Sequence, residues 1–282
     1  MNTLKVWTLM GALSALLVLL GNKIGGPSGA ILFFVISLGM NFFSYYFSDR
    51  MVIAMTGSQP VSEREAPELY EIVKKITQRA GLPMPRLFIT PSPQPNAFAT
   101  GRNPANSAVA VTEGLLQVLN RDEIEGVLAH EIAHIKNRDI LIGTIAAAFA
   151  GAISLIANAI QWGAMLGGFG RSDEGEGAGS FLASIALAIV APIAALIIQM
   201  AISRSREYLA DETGARLAGR AGGLASALLK LERAAQQIPM QVNPAASHMF
   251  IVNPLSGESL LRLFSTHPPI SERVRRLQSI RL

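Results

Sequence analysis

The sequence predicts a mainly α-helical membrane protein, with four transmembrane helices carrying a cytoplasmic α+β domain that contains a small sheet. Three observations lead there. Of the 282 residues, 50% are hydrophobic and only 16% are charged, against about 25% charged in soluble domains. The deficit is confined to four stretches, 6–22, 24–48, 140–170 and 177–203. Each is long enough for the roughly 17–25 apolar residues of a membrane span. The basic residues also fall on one side. With the N-terminus cytoplasmic, only Lys23 and Arg171 of the 24 Lys and Arg lie across the membrane, which is the positive-inside bias.

These spans divide the chain into a transmembrane hairpin at 1–48, a first soluble portion at 49–139, a second hairpin at 140–203 and a second soluble portion at 204–282. The two soluble portions share the cytoplasmic face. Stretch 6–22 is short enough for a secretory signal. A second span follows it closely and no small-residue cleavage site stands out, so it reads as an uncleaved anchor. The pI near 9.6 fits basic segments facing anionic lipid, and no nucleic-acid partner is expected. The chain has no cysteine, which excludes disulfides and cysteine-based zinc sites.

Along the first soluble portion, Leu69, Ile72, Val73 and Ile76 repeat at helical spacing. Pro67 suits the first turn of that helix, and Gly81 and Pro83 its end. RLFIT (86–90), NAFATG (96–101) and SAVAV (107–111) read as strands. The turn chemistry of GRNPAN between the last two makes them a hairpin, antiparallel by construction. A short helix follows at 113–119. The next begins at Asn120, with Glu123 placed for a capping box, and meets no breaker before Ile140. It is expected to continue into the third span or to join it by a tight bend. In the second soluble portion, ISRSREYLADETGARLA and GGLASALLKLERAAQQ read as helices, 238–258 as loop, and the end as a Pro-rich loop plus a helix on Val274, Leu277 and Ile280.

The chemistry lies in LAHEIAHIKNRD (128–139). His130 and His134 stand four apart on one helical face, so both imidazoles reach one ion. Glu131 is one residue off that face, placed to hold a metal-bound water and shuttle its proton as catalytic base. Two of the four histidines in the chain form this motif. One zinc ion per chain is the expected cofactor. Geometry selects the third ligand. The third and fourth spans must form a hairpin, because soluble sequence lies at both inner ends. His134 is six residues before Ile140 and Glu207 four after Ser203, which places them roughly 9 and 6 Å beyond the membrane at about 1.5 Å per residue. Glu207 is the expected ligand. Asp211, four residues on, is expected to orient a ligand histidine through its other ring nitrogen. A solvated face pairing Glu207 and Asp211 with Arg204 or Arg206 is the plainer alternative.

HEIAH followed, after a hydrophobic hairpin, by REYLAD resembles the M48 family of gluzincin metalloproteases. The order of two anchors, HExxH domain, second hairpin and C-terminal STHP segment is similar to that of the bacterial heat-shock membrane proteases of that family. NAFATGRNP and HMFIVNP add to the likeness, which covers essentially the whole chain. The resemblance implies a gluzincin-type zinc endopeptidase in the bacterial inner membrane, multi-pass with both termini cytoplasmic, which helps clear misfolded membrane proteins under stress. It implies zinc ligation by His130, His134 and Glu207, with Glu131 as base. It also places a histidine of the STHPP loop, here His267, near the metal, as an oxyanion stabiliser or a resting-state ligand; a loop-capping role is the alternative. His248, beside apolar residues, reads as structural.

Strand 96–99 has two readings. A protease of this kind holds its substrate extended, most simply by backbone pairing to a sheet edge. Asn96, Ala97, Phe98 and Ala99 would form that edge, and the resemblance places the strand at the cleft. Otherwise it is an ordinary hairpin strand burying Phe98. The expected partners are membrane-protein or peptide substrates and the lipid bilayer; quality-control partners and a homo-oligomer stay open. Two rival functions were weighed. An intramembrane protease is disfavoured because Asp122, Glu123, Glu125, Lys136, Arg138 and Asp139 flank the motif, and charges are costly in lipid. A metal-binding scaffold or transporter without proteolytic activity is the non-enzyme alternative; no span carries an ionisable residue at its middle, so a transport path is not indicated.

Overall fold

The computed structural model describes residues 2–145, 204–240, 242, 244–254 and 268–281. The third span beyond residue 145, the fourth span and His267 lie outside them.

Residues Asn2–Met55 are helical (α1), but they do not form one straight rod. Asn41 Nδ2 donates to Ser14 Oγ at 2.8 Å, and Trp7 stacks on Tyr45 with centroids 6.1 Å apart. Residues 27 and 38 positions apart can meet only if the chain folds back between them. It does so at Gly26, whose φ is +61°, with Pro27 next. Among the described residues one helix, Gly26–Met55, is long and apolar enough to cross a membrane, with a mean hydropathy of 1.7. Val6–Leu19 is a shorter apolar helix. Leu32, Phe34, Phe42 and Phe43 stand about half exposed, an apolar surface that water would not favour. The helix runs on past residue 48 to Met55 and enters the soluble body.

There the chain forms β1 (Gln59–Pro60), α2 (Pro67–Ala80), β2 (Arg86–Thr90), β3 (Ala97–Asn103) and β4 (Asn106–Thr112). Pro67 opens α2, and Gly81 closes it in the left-handed conformation, as its sequence indicates. The sheet has the order β1-β2-β4-β3. β3 and β4 are antiparallel, β2 and β4 parallel. The pair β1–β2 was not foreseen, since two residues carry no periodicity. β3 is an edge strand, and its residues alternate between two faces. Ala97 and Ala99 join the main core with α2 and α4, while Phe98 joins a second cluster with Val52 of α1, Phe88, Ala110, Met240 and Phe250.

α3 (Glu113–Val118) leads into α4 (Arg121–Lys136), which opens with the expected capping box between Asn120 and Glu123. α4 is buried over most of its circumference, with Val127, Leu128, Ala129, Ile132 and Ala133 at 0% exposure. It is the central helix, packed by α2, the sheet, α5 (Arg204–Ala218) and α6 (Gly222–Gln237). A 3-10 turn at Pro244–Met249 interrupts the expected loop, and α7 (Ile270–Ser279) closes the body. α4 does not run straight on. Arg138 turns it at φ +56°, and helix resumes at 140–145, so the tight bend is the observed junction.

Candidate metal centre

His130, Glu131 and His134 lie on α4, and α5 brings Glu207 and Asp211 against them. The two helices approach closely because Gly214 has no side chain: a Cβ there would stand 2.9 Å from the backbone nitrogen of His130. The histidine Nε2 atoms are 3.1 Å apart, and Glu207 carboxylate oxygens lie 3.5 Å from His134 Nε2 and 3.8 Å from His130 Nε2. A tetrahedral zinc with ligand bonds of about 2.0–2.1 Å holds its ligand atoms about 3.3–3.4 Å apart. The two Glu207 distances are to different carboxylate oxygens, Oε1 toward His134 and Oε2 toward His130. One ligand atom from each of the three residues lies within 4.8 Å of the others, so the two imidazoles and the carboxylate converge on one point and the donor set fits zinc.

The other ring nitrogens fix the tautomers. His130 Nδ1 lies 2.9 Å from Asp211, and His134 Nδ1 lies 3.1 Å from Asp139. Each carboxylate holds the proton on Nδ1 and leaves Nε2 as the lone pair that a metal needs. Asp211 does what the sequence suggested. Its arginine partner is not the nearby Arg204 or Arg206 but Arg273 of α7, which donates from Nε at 2.9 Å and from Nη2 at 2.7 Å. Arg273 is fully buried. Its Nη1 also donates to the Ile251 carbonyl at 3.1 Å and lies 3.7 Å from Glu207.

Charge follows from this packing. Burial pushes the Glu131 carboxyl up to about 7, and Glu207 adds to the rise against the pull of His134, Arg273 and a hydrogen bond from the Ala99 N–H. Burial disfavours the charged form of His134 as well, but Asp139, Glu207 and Glu131 outweigh it and raise the imidazole to about 10. Burial lowers His130. Asp211 is drawn down to about 2, because Arg273 and His130 overcome its desolvation. Several anions converging on one buried imidazole make a field that suits a divalent cation.

A cavity of about 70 Å³ opens on these groups, lined among others by Ala99, Asp139, Arg206, His248 and Ile251. That is room for an ion and a few waters. His248, read from sequence as structural, is thus on the cavity wall, with Nε2 3.2 Å from the Gly143 carbonyl. Of the 96–99 strand, only Ala99 lines the cavity. Phe98 turns into the second core cluster, its ring 5.0 Å from that of Phe250. Asn96 spends its side chain on Val252, donating to the carbonyl at 2.7 Å and accepting from the N–H at 3.3 Å. Asp139, Arg273 and Arg206 were missed as site residues. Asp139 was legible in part, being five residues after His134. Nothing local marks Arg273, which reaches the site only through the packing of α7.

Comparison with known proteins agrees. The family profile described as Peptidase family M48 matches residues 63–281. Relatives named Protease HtpX homolog include those of Pelotomaculum thermopropionicum, 74% identical over 280 residues covering 99% of each chain, and Syntrophobacter fumaroxidans, 54% identical over 273 residues covering 96% of this chain and 97% of the relative. That of Thermococcus kodakarensis is 55% identical over 278 residues, 98% of this chain and 95% of the relative. Among solved structures, S. mikatae Ste24p aligns with a TM-score of 0.48 and 20% identity, over 98% of this chain and 64% of that one. The match over most of the sequence and the three-ligand site agree, and the chain belongs to peptidase family M48, a family of metalloproteases.

Proposed function

We propose that this chain is a zinc-dependent endopeptidase with four membrane spans, which cuts peptide bonds at the cytoplasmic surface of the bacterial inner membrane. Its task on this reading is the removal of misfolded or damaged membrane proteins. The observation that carries the proposal is the convergence of His130, His134 and Glu207 ligand atoms within 4.8 Å of one another, with Glu131 in the same cavity. Bound there, zinc would supply Lewis-acid polarisation of the scissile carbonyl and a water acidified to a pKa of about 7.

The residues of the chain do the rest. Asp211 and Asp139 keep both imidazoles turned toward the metal position. Glu131, in the same cavity as the metal position, accepts a proton and returns it to the leaving amine. The Ala99 N–H orients its carboxylate. β3 lies beside these groups as an edge strand, which supports backbone pairing with an extended substrate. Ala99 is the member of the 96–99 strand best placed for it, and Asn96, Ala97 and Phe98 would support it from behind. His267 is proposed as an oxyanion stabiliser, on the resemblance alone.

Glu131→Gln is expected to lower cleavage of a model membrane substrate by about 10²–10⁴-fold, with zinc content unchanged. Glu207→Ala is expected to empty the site, read by metal analysis of the purified protein. Normal cutting by the first variant, or undiminished zinc in the second, would overturn the mechanism. A scaffold or transporter would show no cleavage sensitive to chelator.

A further inference from the structure

We infer that Thr144, on the first turn of the helix that enters the third span, is a specificity-determining residue that sets how far along β3 a substrate strand can pair. The inference rests on the edge-strand reading above and goes beyond it.

In β3 the even-numbered residues face β4: Asn96 accepts from the Thr112 N–H at 3.0 Å, and Phe98 and Thr100 stand opposite Ala110 and Ala108. The odd-numbered residues therefore present their backbone groups to the open edge. Four of those groups have partners in the structure, the Ala97 N–H finding its own neighbour Asn96 Oδ1 at 3.1 Å. The Ala97 carbonyl accepts from the Ile251 N–H at 3.0 Å. The Ala99 N–H donates to Glu131. The Gly101 N–H donates to Thr144 Oγ1 at 3.2 Å. The chain thus closes the edge on both sides of Ala99, with residue 251 at one end and Thr144 at the other.

The two closures differ in kind. Residues 250–252 are held from several directions: Asn96 grips Val252 at two atoms, and the buried Arg273 holds the Ile251 carbonyl. That end is a fixed wall. Thr144 hydrogen-bonds to the strand through its hydroxyl. Its Oγ1 donates to the Ile140 carbonyl at 2.7 Å within its own helix and meets Thr100 Oγ1 at 3.1 Å. Gly101 must be glycine, since its φ is +135° and a Cβ would lie 2.3 Å from the Asn106 carbonyl, so its N–H cannot be re-aimed by mutation. It lies two residues, about 6.6–6.8 Å, beyond Ala99. A substrate carbonyl arriving there replaces one neutral hydrogen bond with another, while Thr144 keeps its bond to Ile140. Thr100, Gly101 and Thr144 are all buried, so a substrate carbonyl reaches that N–H only when the helix at 140–145 moves off it, and the Thr144 hydroxyl bonds are part of what holds that helix against the strand. That helix begins next to Asp139, which orients His134, so the same segment borders the metal site and the far end of the edge.

The test compares kcat/KM for a peptide spanning a mapped cut in a denatured model protein with versions trimmed by two residues from either end, using the full chain in detergent. With Thr144→Val, which removes the competing acceptor, the ratio of long to trimmed peptide at one end is expected to rise about 2–10-fold over wild type, one hydrogen bond's worth. Thr144→Ser, which keeps the hydroxyl, should hold the wild-type ratio. Thr144→Ala serves the same purpose if valine impairs folding, which zinc content reports. An unchanged ratio in the valine and alanine variants overturns the inference. Backbone N-methylation of the peptide on wild type separates the parent reading: if methylation around the cut leaves kcat/KM unaffected, strand pairing itself is wrong and the inference falls with it. If methylation weakens cleavage while the Thr144 ratio stays fixed, only Thr144 is excluded.

Discussion

Asp139 and Asp211 each lie against the Nδ1 of one of the two candidate ligand histidines, but their surroundings differ, and so do the expected effects of losing them. Asp139 holds His134 Nδ1 at 3.1 Å. Replacing it by Asn should leave the fold intact and weaken zinc binding about 10–100-fold, as measured by competition with a chelator. Asp211 is shared with Arg273. Arg273→Met leaves a buried carboxylate without its main counter-charge, at a cost of about 3–5 kcal/mol, so thermal unfolding should occur at clearly lower temperature even with Glu131 and all three ligands intact. A variant that melts like wild type would show that the pair carries no such load. Sequence exposed Asp211, because i, i+4 spacing places it on the same face as Glu207. It could not expose Arg273, which is more than sixty residues away and meets Asp211 only in three dimensions.

At the scale of elements, the site depends on two helices held closer than ordinary side chains permit. Gly214 lies against the backbone of His130 and Ala129. Gly214→Ala changes no ligand side chain, yet it should push α5 away from α4 and draw Glu207 away from His130 and His134. The expected outcome is a loss of zinc affinity with secondary structure retained, read by metal titration beside circular dichroism. Unchanged affinity would mean that the helices adjust without moving Glu207. The elements themselves were largely legible. The capping box of α4, the Pro and Gly bounding α2 and the β3–β4 hairpin all rest on local chemistry. The parallel β2–β4 pairing and β1 were not, since which strands adjoin depends on burial that no local pattern records. Phe98 illustrates the gap: alternation shows that it opposes Ala97 and Ala99, but only the packing of Val52, Met240 and Phe250 shows that its face is enclosed as well.

Across the molecule, the membrane helix and the catalytic body are joined at the sheet. The end of α1 buries Val52 against Phe88 and Phe98, Arg86 pairs with Asp49, and Arg102 donates to the Tyr46 carbonyl at 3.2 Å while its guanidinium lies 5.0 Å over the Tyr46 ring. Anchor and edge strand therefore move together. The four-span arrangement has its own test, eased by the absence of cysteine. In intact spheroplasts, Asp173→Cys should react with an impermeant maleimide and Glu65→Cys should not. Labelling of both or of neither, or the reverse pattern, would reject the proposed topology.

Sequence by itself singled out His130, Glu131 and His134 as one group and pointed to Glu207 and Asp211 as its neighbours, because helical periodicity is a local constraint and four-residue spacing keeps Glu207 and Asp211 on one face. Tertiary structure decided the distances among the three ligands, the identity of the groups that lock them and the closure of the β3 edge by Ile251 and Thr144. Those depend on how separate segments pack, and packing is set by the summed shape and burial of many side chains, which no single stretch of sequence contains.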